Sequence, residues 1–87
     1  MARYNIRFKA SVSKDFRSIP KHDVKRILEC IEQLAENPRA EGCIKLTGKD
    51  CYRVRQGLYR IIYEIQDENL VVMIIKIGHR SAVYGAI

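Results

Sequence analysis

This sequence lacks a long apolar run, a zinc-type spacing of cysteines and enough acid to balance its bases. The longest uninterrupted apolar stretch, residues 70–75, is six residues. A membrane-spanning helix needs about 20, so this stretch suits a buried strand. The opening Met-Ala-Arg-Tyr-Asn carries no apolar core of a secretory leader. The expected location is therefore the cytoplasm. There is no internal repeat, low-complexity tract or Pro/Gly-rich linker, and 87 residues make one domain, 1–87. The three cysteines, Cys30, Cys43 and Cys51, are odd in number and fit no zinc-ligand spacing, and His22 and His79 stand far from them. Reduced thiols packed as small hydrophobes are the expectation, with no metal and no cofactor. Acid is outnumbered: 10 Asp and Glu face 16 Lys and Arg, a net charge of +6. On so small a surface this excess attracts polyanions, which means nucleic acid, a ribosome or an acidic protein.

What is present is a chain built to fold. Its hydrophobic fraction is 47% and its charged fraction 30%. Residues 3–9 alternate, with Tyr4, Ile6 and Phe8 on one side, which predicts a half-buried strand. Val12, Phe16 and Ile19 recur at helical spacing behind Ser11, a candidate N-cap. Pro20 then opens a longer helix whose stripe is Val24, Ile27, Leu28, Ile31, Leu34 and Ala35. Lys21, Lys25, Glu29, Glu32 and Glu36 fall outside that stripe, and Asn37-Pro38 ends the helix. Residues 39–49 read as a loop. Residues 52–56, 58–65 and 70–77 read as strands, with Gly78 breaking the last and Val83-Tyr84 adding a short one. Helices grouped early and strands grouped late predict an α+β fold: an N-terminal strand, two helices, then an antiparallel meander of three to four strands, with the helices on one face.

The meander concentrates charge. With Gln56-Gly57 as a two-residue turn, Arg53 stands opposite Arg60, and Arg55 opposite Leu58. Tyr52, Val54, Tyr59, Ile61 and Tyr63 then face the helices, and Arg53, Arg55 and Arg60 share the other face. Like charges across a strand pair destabilise it. Tolerated repulsion of this kind points to a bound anion. Gly78-His79-Arg80, and Tyr84 soon after, return toward the same end of the sheet if the last strand lies beside residues 58–65.

The ordered set Leu46-Thr47-Gly48, Cys51-Tyr52-Arg53-Val54-Arg55, Gly57-Leu58-Tyr59-Arg60-Ile61-Ile62-Tyr63 and Ile77-Gly78-His79-Arg80, with Val83-Tyr84 behind it, resembles the RelE branch of the RelE/ParE toxin superfamily. Phe8, Asp15-Phe16-Arg17 and the stretch from Leu34 to Pro38 extend the resemblance over nearly the whole chain. It implies the toxin of a toxin–antitoxin pair, one that enters the ribosomal A site and cuts messenger RNA. It also implies a small RelB-like antitoxin that wraps the toxin with helical segments, and repression of operator DNA by the pair. On matching positions the catalytic residues it implies are Arg53, Arg55, Arg60, Arg80 and Tyr84.

The chemistry can be reasoned from the residues. RNA supplies its own nucleophile, the 2′-OH, and in-line attack leaves a 2′,3′-cyclic phosphate. Arginine forks suit the charge that builds on phosphate, and the Tyr84 ring suits base stacking. Better-known RelE-like toxins carry lysines where this chain has Arg53 and Arg55, and arginine does not act as a base. Three readings of the proton acceptor stand open: His79, Tyr84 with a lowered pKa, or no discrete base and electrostatic stabilisation alone. Two other functions compete with RNA cutting. One is ParE-like inhibition of DNA gyrase; the other is a degenerate toxin that survives as an antitoxin-binding co-repressor.

Overall fold

A computed structural model describes residues 3–46 and 51–79. The elements run β1 (Asn5–Phe8), α1 (Val12–Arg17), α2 (Lys21–Glu36), β2 (Ile44–Lys45), β3 (Tyr52–Gln56), β4 (Tyr59–Gln66) and β5 (Val71–His79). The strands form one sheet in the order β1-β5-β4-β3-β2. Strands β2 to β5 make the expected antiparallel meander, and β1 adds to its far side, parallel to β5. The class is α+β, as the element order predicted.

Helix α2 forms because its apolar residues recur at helical spacing. Ile27, Ile31, Leu34 and Ala35 are buried. Each large side chain among them contributes about 1.5–3 kcal/mol. Pro20 sits at the N-cap with ψ 145, one residue before the helix, and accepts from the N–H groups of Asp23 and Val24. Asn37 ends the helix in extended geometry (φ −150, ψ 90), because the following Pro38 disfavours the helical region. Ser11 precedes α1 but makes no side-chain cap hydrogen bond. The helices cover one face of the sheet. Their buried Val12, Ile19, Ile27, Ile31 and Leu34 pack with Ile61, Tyr63, Val72, Ile74 and Ile77.

The structure corrects the sequence reading in several places. The segment 39–49 is not all loop, since Ile44 and Lys45 pair with Arg53 and Tyr52. Gly78 does not break the last strand; it lies within β5, paired with Arg60. Leu28, assigned to the buried stripe, is 43% exposed. The β3–β4 turn is Gly57-Leu58 rather than Gln56-Gly57. Gly57 takes φ +61 as the first loop residue, where a type II′ hairpin requires glycine. The predicted strand at Val83-Tyr84 lies outside the described residues.

Two further features fix the sheet's edges. Between Ile62 and Tyr63 the β4–β5 register shifts, leaving Ile75 as an extra residue on β5. Strand β1 pairs with β5 only as far as Phe8 and Ile74, so the remainder of that β5 edge needs another partner. Asp15 of α1 supplies one. Its carboxylate accepts from the Ile77 N–H at 3.1 Å and from Lys76 Nζ at 2.9 Å. The sheet's ladder is thus continued by a helix side chain.

Candidate functional site

The two-residue turn sets the ladder Gln56–Tyr59, Arg55–Arg60, Val54–Ile61, Arg53–Ile62 and Tyr52–Tyr63. The expected pairing of Arg53 with Arg60 is off by two positions along the strand. A shift of two preserves the faces, because side chains alternate with period two. Arg53, Arg55 and Arg60 therefore share the face away from the core, while Tyr52, Val54, Tyr59, Ile61 and Tyr63 pack toward the helices. Arg55 and Arg60 are directly opposed, and Arg53 lies diagonally from Arg60. Opposed residues have Cβ atoms about 4.5–5.5 Å apart and diagonal neighbours lie about 7–8 Å apart. All three side chains therefore leave the sheet on the same side.

The same face continues across β5. Arg60 is opposite Gly78, and Ile62 is opposite Lys76. Ile62 is fully buried even though it lies on the arginine side. Arg60 is half-buried and its Nε is buried, whereas Arg55 is exposed. Arg53 is half-buried as well, and a cation partly withdrawn from water attracts an anion more strongly than one in bulk solvent.

His79 is the last residue of β5 and pairs with Tyr59. Its ring meets the Tyr59 ring edge-on at 6.1 Å. Strand alternation sets both on the face opposite Arg55 and Arg60. The structure thus brings three of the expected residues together and turns His79 to the other side. Arg80 and Tyr84 lie outside the described residues.

A second polar cluster went unnoticed in the sequence. Arg39 makes two hydrogen bonds to Asp67, at 3.0 and 2.7 Å, and Tyr4 donates its hydroxyl to the same carboxylate at 2.6 Å. The Arg39 guanidinium also lies 5.8 Å from the centre of the Tyr52 ring. Hydrogen bonds from Arg39, then from Tyr4, lower the Asp67 carboxyl to about 2. Asp67 in turn raises the pKa of both Tyr4 and Arg39. Asp67 follows the end of β4 and Arg60 is near its start, so the cluster sits at the opposite end of that strand from the Arg55–Arg60 pair. It ties the β4–β5 turn to the chain before β1 and after α2. Nearby, the buried Tyr63 donates to the Pro38 carbonyl at 2.7 Å, and burial pushes its hydroxyl pKa up. Partners this far apart in sequence leave no local pattern to find.

Comparison with known proteins fits this geometry. Residues 6–84 match the family model described as the ParE toxin of the type II toxin–antitoxin system parDE. The mRNA interferase toxin RelE of Escherichia coli K12 is 33% identical over 86 residues, covering 93% of this chain and 90% of that one. A chain in the crystal structure of the RelBE2 toxin–antitoxin complex of Mycobacterium tuberculosis superposes with a TM-score of 0.83 at 26% identity, covering 93% and 95% of the two chains. A chain of the archaeal RelE–RelB complex of Pyrococcus horikoshii gives 0.77 at 31% identity, covering 94% and 99%. The fold is that of a type II toxin, and the chain belongs to the RelE/ParE superfamily as a RelE-like toxin. No helix among the described residues is long and apolar enough to cross a membrane.

Proposed function

We propose that this chain is a ribosome-dependent endoribonuclease that cuts messenger RNA in the A site and so inhibits translation. The observation that carries the reading is the cluster of Arg53, Arg55 and Arg60 on one sheet face, with Arg55 and Arg60 directly opposed. The name of the E. coli relative, an mRNA interferase, supports it. The 2′ oxygen of the message, giving up its proton, bonds to the adjacent phosphorus as the bond to the 5′ oxygen breaks; the products are a 2′,3′-cyclic phosphate and a 5′-OH, whose oxygen takes up a proton. Negative charge on the phosphoryl oxygens rises in the transition state, and the three guanidinium groups stabilise it there. Arg80 is assigned to the same phosphate and Tyr84 to stacking on a base, both on the strength of the family resemblance. Arginine holds its proton, and His79 packs on Tyr59 on the opposite face. Of the three readings of the proton acceptor, Tyr84 and electrostatic stabilisation without a discrete base are the two that stand, and the arginines carry the stabilisation in both. The ribosome contributes by holding the message in line for attack.

The partner of the free toxin is a RelB-like antitoxin, as in the complexes of its structural relatives; on the strength of the family resemblance alone, the pair is assigned to operator DNA as well. The site of action is the translating ribosome, and so the cytoplasm. A second reading has one observation behind it: the matching family model bears the ParE name. Gyrase inhibition, however, gives no role to opposed arginines. Primer extension on a translated message separates the two. Cuts within codons that appear only with ribosomes are expected. An intact message together with blocked gyrase supercoiling would replace this reading with the ParE-like one.

A further inference from the structure

Strand β5 changes the direction of its side chains part-way along. Ile74 and Ile77 stand three residues apart, yet both are buried in the core. Period-two alternation forbids this in a regular strand. The extra residue Ile75, at the register shift between Ile62 and Tyr63, resolves it. The consequence falls on Lys76. In a regular strand Lys76 would follow Ile74 into the core. With the bulge it pairs with Ile62 and leaves the sheet on the arginine face. There it is the diagonal neighbour of Arg60, whose direct partner, Gly78, puts no side chain between them. It is the only lysine of β3, β4 and β5. Bulges that re-aim one side chain are over-represented beside active sites.

Lys76 is also held in place. Asp15 accepts from its ammonium at 2.9 Å and from the Ile77 N–H at 3.1 Å. An ammonium has three N–H donors, so this bond leaves two for another acceptor. The Lys76 side chain is 33% exposed, which gives such an acceptor access. Helix α1 lies on the other side of the sheet, so a bond to Asp15 alone gives no reason to set Lys76 beside Arg60.

Cleavage creates a need that the arginines do not meet. The departing 5′ oxygen takes up a proton, and a guanidinium holds its protons too firmly to supply one. An ammonium carries a proton at neutral pH and can give it up. We infer that Lys76 donates this proton, with Asp15 as the positioning residue that aims the ammonium. As the bond from phosphorus to the 5′ oxygen breaks, its electron pair goes to that oxygen. The oxygen takes a proton from Lys76 Nζ, which is left as a neutral amine and regains its proton from water. The inference rests on the nuclease reading for the reaction, and on the bulge and the Asp15 contact for the residue.

The test compares single-turnover cutting of two ribosome-bound messages. They are identical except that one carries sulfur in place of the 5′ oxygen at the mapped cut site. A thiolate leaves without a proton, because thiols are far stronger acids than alcohols. Lys76→Arg keeps a positive charge and a partner for Asp15 but removes the transferable proton. It is expected to cut the oxygen message about a hundredfold more slowly than the unsubstituted chain, and the sulfur message at a near-equal rate. Asp15→Asn should show the same selective loss, smaller in size. Arg60→Ala should be slow on both messages, since charge builds on the phosphoryl oxygens in either. All variants are measured on protein shown by circular dichroism to be folded. An unchanged rate for Lys76→Arg on the oxygen message, or an equal loss on both messages, would overturn the inference. A loss shared by both messages in Asp15→Asn would overturn the positioning role. If the unsubstituted chain cuts neither message, the nuclease reading falls and the proton donor with it. If it cuts both, and Lys76→Arg cuts both as fast, the proton donor alone falls.

Discussion

Arg55 and Arg60 are directly opposed on β3 and β4, two positive side chains paired on one face of the sheet. Opposed like charges destabilise a hairpin in which a favourable cross-strand pair would contribute roughly 0.2–1 kcal/mol. Replacing Arg55, the exposed member, with threonine removes the repulsion and adds a β-branched residue suited to a strand. Arg55→Thr should raise stability in urea by up to about 1 kcal/mol and slow message cutting at least about tenfold. Equilibrium denaturation and a cutting time course read the two effects. Effects in the same direction would argue against a binding role for the pair.

Asp15 is the second test. Its side chain is 10% exposed and serves both the Ile77 N–H and Lys76. Asp15→Ala leaves that N–H without its acceptor, at a cost of about 1–3 kcal/mol. Hydrogen exchange at the Ile77 amide should speed up in Asp15→Ala. Asp15→Asn keeps an acceptor oxygen and should recover part of the protection.

The Asp67 cluster gives a pH prediction. Its folded carboxyl is lowered to about 2 from an ordinary value of 3.8. A depressed acid contributes stability above its unfolded pKa, and loses it as pH falls through the folded one. The contribution is therefore complete above about pH 4–5 and fades toward pH 2. Carbon NMR of the Asp67 carboxyl should show a midpoint near 2 that moves up toward 3.8 in Arg39→Ala. An unmoved midpoint would mean that Arg39 does not hold it.

Much of this fold was legible because its signals are local and periodic. The β3 boundaries, Tyr52–Gln56, match the apolar run, and α2 follows its stripe. The arginine face is also legible, although the turn lies one residue later than Gln56-Gly57. The true register differs by two, and period-two alternation leaves every side chain on its expected face. What escaped depends on tertiary context. Strand β2 has two residues, too few for a pattern. Leu70 takes φ 52 in the turn before β5, next to Asn69, the residue type better suited to that conformation. Leu28 falls on the apolar stripe by spacing, yet nothing in the sequence states that the neighbouring elements leave it uncovered. The Asp15–Ile77 and Arg39–Asp67 contacts join residues 62 and 28 positions apart. His79 adjoins Arg80 in sequence, yet it pairs with Tyr59, and strand alternation turns it away from Arg55 and Arg60.

Several fixed cations on one sheet surface hold the strained phosphorus during cleavage; that is the central claim. It is tested most directly by the single-turnover rate at which Arg60→Ala cuts a ribosome-bound message, measured on protein shown to keep its unfolding midpoint. The account predicts a fall of about a hundredfold or more, the usual loss when one preorganised donor to a transition-state oxyanion is removed. An unchanged rate in the folded variant would contradict it.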